Sequence, residues 1–119
     1  MQRKTVNLWK TYDAFGYREA EWVPYYRAEE AGLARANDDQ VKVSLYLHRG
    51  KRALLIVGNL RHEVTNCEVS VNPKGMGFAD GADLRAHNAL SERELPMTDS
   101  VISIRLRPTS FVLVRLEPR

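Results

Sequence analysis

One cysteine, Cys67, is all the chain has in 119 residues, so no disulfide can close within it and any core must hold by packing. At this length one domain can bury a core without disulfide or metal support. No apolar run approaches the roughly 20 residues that cross a bilayer. Thr5 to Lys10 is too polar for a signal-peptide core, although Met1-Gln2-Arg3-Lys4 is basic. That leaves two expectations side by side, a cytoplasmic protein or a Met1 belonging to an excised fragment of a longer chain. No Asn-x-Ser/Thr acceptor, no G-x-S-x-G elbow and no C-x₂-C or H-x₃-H spacing is present. His48, His62 and His87 stand singly, which disfavours a histidine metal site. Charge of one sign is scarce too. The net +3 comes from 18 basic and 15 acidic residues spread along the chain, whereas a nucleic-acid module gathers its cations on one face.

What is present is a pattern of strands. Val41, Val43, Leu45 and Leu47 alternate with Lys42, Ser44, Tyr46 and His48, the period of a strand with one buried face. Ala53-Leu54-Leu55-Ile56-Val57 is apolar without alternation, as a strand covered on both sides is. Arg49-Gly50-Lys51 between them predicts a hairpin turn, with Gly50 free to take a positive φ. Cys67, Val69 and Val71 give a third strand ended by Pro73. Because the link from Arg61 to Asn66 is short and polar, strands two and three are expected to be antiparallel neighbours. The glycine-rich loop Lys74 to Ala82 offers Met76 and Phe78 as plugs. Further strands are expected over Leu84 to Asn88, Leu90 to Pro96, Val101 to Arg107 and Phe111 to Glu117, with a short one over Leu33 to Asn37.

The first quarter differs. Val6, Trp9 and Tyr12, with Leu8 and Phe15, fall at helical spacing, and Gly16 follows as a stop. A short helix near residues 5–15 is therefore expected. Glu21 to Tyr26 is expected to be extended because Pro24 biases its predecessor toward β, with a helical turn at Ala28 to Ala31. The fold class predicted is all-β, an antiparallel β-sandwich of seven or eight strands with a short N-terminal helix. It fills residues 1–119 as one domain, with a helical lead-in over 1–31.

This order resembles the C-terminal β-sandwich of multidomain glycoside hydrolases, both α-amylase-like enzymes and relatives of glycoside hydrolase family 123. Three parts carry the resemblance. They are Leu8-Trp9-Lys10-x-Tyr12-Asp13-x-Phe15-Gly16 followed by Ala20 to Tyr26, the hairpin Val41 to Tyr46 with Arg52 to Leu60, and the ending Leu106 to Leu116. The resemblance implies a non-catalytic C-terminal piece of a longer chain, packed beside a catalytic barrel. It carries over no catalytic residue and no cofactor.

Chemistry in the residues themselves is sparse. Glu29, Glu30, Asp38 and Asp39 sit in polar, turn-like segments rather than as a spaced pair across a cleft. Lys74-Gly75-x-Gly77 lacks the order of a phosphate cradle, and Asp80 with Asp83 offers too few oxygens for calcium. The aromatics are the site candidates. Trp9, Tyr12, Trp22, Tyr25 and Tyr26 crowd together in sequence, as rings for interdomain packing or for stacking on carbohydrate. The expected partners are thus a neighbouring catalytic domain of the same chain and, as the alternative, a glycan. Nucleic acid ranks below both, and no membrane partner is expected.

Overall fold

The computed structural model describes residues 16–119; the helix expected near residues 5–15 lies outside them. Among the described residues ten strands form two antiparallel sheets that face each other, the predicted sandwich. The first sheet holds six strands: β1 (Glu21–Val23), β3 (Val41–His48), β4 (Arg52–Asn59), β10 (Phe111–Pro118), β6 (Leu84–Asn88) and β7 (Glu94–Leu95), in that spatial order. The second is ordered β2 (Ala34–Ala36), β5 (Thr65–Val71), β9 (Val101–Leu106) and β8 (Met97–Thr98). The count exceeds seven or eight because the short edge strands β1 and β8 are added.

The alternation in β3 reads directly into burial. Val41, Val43, Leu45 and Leu47 are buried and their intervening neighbours are partly exposed. β4 is the covered central strand that its unbroken apolar run predicts, paired on one side with β3 and on the other with β10. Gly50 turns the β3–β4 hairpin at φ 75°. One core lies between the sheets, built from Val43, Leu45, Leu55 and Val57 on one side and Cys67, Val69, Ile102 and Ile104 on the other. Met76 and Phe78 plug its end, both buried as expected.

Three local expectations are corrected. First, β4 and β5 are not neighbours; the link between them crosses from one sheet to the other. The reason is that β10 returns to occupy the free edge of β4, a pairing across some fifty residues that no local pattern shows. Buried Asn59 shapes the crossing. Its amide nitrogen donates to the Glu63 and Arg107 carbonyls at 3.1 and 3.0 Å. Its Oδ1 accepts from the Arg61 N–H at 3.0 Å. Second, Tyr25 and Tyr26 are not extended. Pro24 ends β1 but then serves as the N-cap of helix α1 (Tyr25–Glu30), its carbonyl accepting from the Arg27 and Ala28 N–H groups. Its fixed φ suits the residue that opens a helix as well as one that breaks it. Third, Leu90 to Pro96 is not one extended piece. The Asn88 side chain accepts from the Leu90 and Ser91 N–H groups and folds a turn, after which Pro96 separates β7 from β8 in the opposite sheet.

Candidate functional site

Side chains on alternate positions of β1, β3, β4, β10 and β6 point away from the core. Strand register aligns Trp22, Tyr46, Leu54, Arg115 and His87 in one row across the six-stranded sheet. Trp22 lies at the β1 end of that row because Val23, the next residue, is buried in the core. Its ring packs on Tyr46 at 4.7 Å between centroids, with the planes 42° apart. Tyr17 meets the same Tyr46 edge-on at 6.0 Å.

One short step along the chain, α1 begins with Tyr25 and Tyr26, whose rings are 5.5 Å apart and nearly perpendicular at 86°. Lys42, on the outer side of β3, holds its Nζ 5.3 Å from the Tyr25 centroid, within cation–π range. Lys42 and Tyr46 are four residues apart on one strand face, a spacing of about 13 Å. The structure therefore gathers Trp22, Tyr25 and Tyr26 along one edge of the six-stranded sheet. Trp22 is 45%, Tyr25 38% and Tyr26 60% exposed. Trp9 and Tyr12, the other two candidates, lie outside the described residues.

Tyr46, Tyr17 and Lys42 were not singled out in the sequence, yet they frame this edge. For Tyr46 and Lys42 a signal existed, since both occupy the polar phase of the β3 alternation and so must face outward. Geometry then limits what the edge can do. Ring planes 42°, 69° and 86° apart form no flat platform, and the Trp22 and Tyr46 rings pack on each other.

Of the ionisable candidates, Asp38, Asp39 and Asp83 stand in ion pairs. Arg61 holds Asp38 at 2.8 Å and Asp39 at 3.6 Å. The hydrogen bond from Arg61, helped by the Gln40 N–H, keeps the Asp38 carboxyl below the usual carboxylate range. Glu92 is lowered in the same way by Arg115, which grips both of its oxygens. Burial pushes the Cys67 thiol up, helped by the Asp38 charge. Glu29 and Glu30 are exposed on α1. Asp83 is joined to Arg119 at 3.3 Å. Among the described residues no three of His, Cys, Asp or Glu gather where they could hold a metal ion.

Similarity to known proteins is confined to the fold. No family model and no curated protein sequence matches the chain. Among solved structures, a glycoside hydrolase family 27 β-L-arabinopyranosidase from Geobacillus stearothermophilus matches 72% of this chain with a TM-score of 0.53 and 17% identity. An α-amylase from Anoxybacillus matches 86% of it with a TM-score of 0.53 and 13% identity. The matched part is 20% of the first enzyme's chain and 19% of the second's. This chain spans about a fifth of the length of the structures it matches.

Proposed function

We propose that this chain is a non-catalytic accessory module of a carbohydrate-active enzyme, packed beside a catalytic domain of the same polypeptide. One observation carries the reading. The fold of this two-sheet sandwich is similar to about one fifth of each of two longer solved chains, one named an arabinopyranosidase and one an α-amylase. The carboxylates support it as well, because Asp38 and Asp39 share one guanidinium instead of facing each other across a cleft. The module's role is to cover and steady its neighbour, with the exposed rings of Trp22, Tyr25 and Tyr26 as contact residues.

Carbohydrate binding is the second reading, and the exposure of those same three rings is what favours it. Nucleic acid has less behind it. Arg105 is exposed on β9, but Asn66, Ser103 and Glu68 surround it on the outer face of the four-stranded sheet.

Calorimetric titration of the 119-residue chain with a panel of oligosaccharides separates the two, run beside a Trp22→Ala variant. The accessory reading expects neither heat nor glycoside turnover. Millimolar or tighter binding that vanishes in the variant would replace it with a carbohydrate-binding module.

A further inference from the structure

We draw no further inference here: the strongest candidate, the polar groove on the outer face of the four-stranded sheet lined by Asn37, Asn66, Glu68, Ser103 and Arg105, is an exposed strand face, and nothing in the structure shows what covers it.

Discussion

Asn59 shows how much one buried polar side chain can decide. It is 2% exposed, and its amide meets two carbonyls while its oxygen takes the Arg61 N–H. Removing such a group leaves several part-buried partners unpaired, each worth up to about 1–3 kcal/mol. Asn59→Asp is the harsher change, because it keeps the acceptor and sets a carboxylate against the Glu63 and Arg107 carbonyls. Chemical denaturation should show Asn59→Asp losing about 3 kcal/mol or more, and Asn59→Ser less. Ion pairs at the same corner add a pH dependence. The folded-state pKa of Asp38 is depressed by Arg61, so the protein binds that proton less readily than the unfolded chain does. The resulting stability is present above the ordinary carboxylate value and is lost as pH falls through the lower folded value. Melting temperature should therefore drop on acidification below about pH 4, and part of that drop should be absent in Asp38→Asn. An identical acid profile in the variant would show that the Arg61 contact carries no linkage.

At the scale of elements, the hairpin turn and the plug loop are fastened backbone to backbone. The Gly50 N–H donates to the Met76 carbonyl at 3.1 Å. A Cβ on Gly50 would come 3.0 Å from the Gly77 carbonyl oxygen, and one on Gly77 would come 2.9 Å from the Gly50 nitrogen. Gly81 has a similar left-handed φ of 74° but open space around it. Comparing the three separates conformational strain from steric exclusion. Gly81→Ala should cost about 1 kcal/mol, the left-handed penalty alone. Gly50→Ala and Gly77→Ala should cost clearly more, because each also pushes the plug carrying Met76 off the core. Equal losses in thermal melts would remove the steric part of this argument. Legibility in the sequence follows the same division between local and distant. β3, β5 and β9 were readable because each buries one face and so alternates with period two. The sheet to which β5 belongs was not, since it depends on β10 pairing with β4 from far along the chain. Pro24 misled because strand end and helix start ask for the same φ. The aromatic edge was half legible: clustering in sequence pointed to Trp22, Tyr25 and Tyr26, while Tyr46 joins them only through the β1–β3 register.

For the whole molecule, the decisive property is that both sheets share one core. Val57 from β4 and Ile104 from β9 are 0% and 4% exposed and belong to the same cluster. A carboxylate at either position would be buried without a partner, at a cost of several kcal/mol. Domains of this size are stable by only about 5–15 kcal/mol. Val57→Asp and Ile104→Asp should each abolish the cooperative transition, although they lie in different sheets. The sheets should not melt separately in the unaltered chain either. Trp22 sits on the six-stranded sheet, so in a Trp9→Phe background its fluorescence reports that sheet, whereas the far-ultraviolet β signal reports both. The two probes should give coincident denaturation curves. A fluorescence transition preceding the loss of β signal would mean that the six-stranded sheet opens alone. That result would break the single-core reading, because Leu45, Leu55 and Leu116 of the six-stranded sheet have the core between the sheets as their burial site.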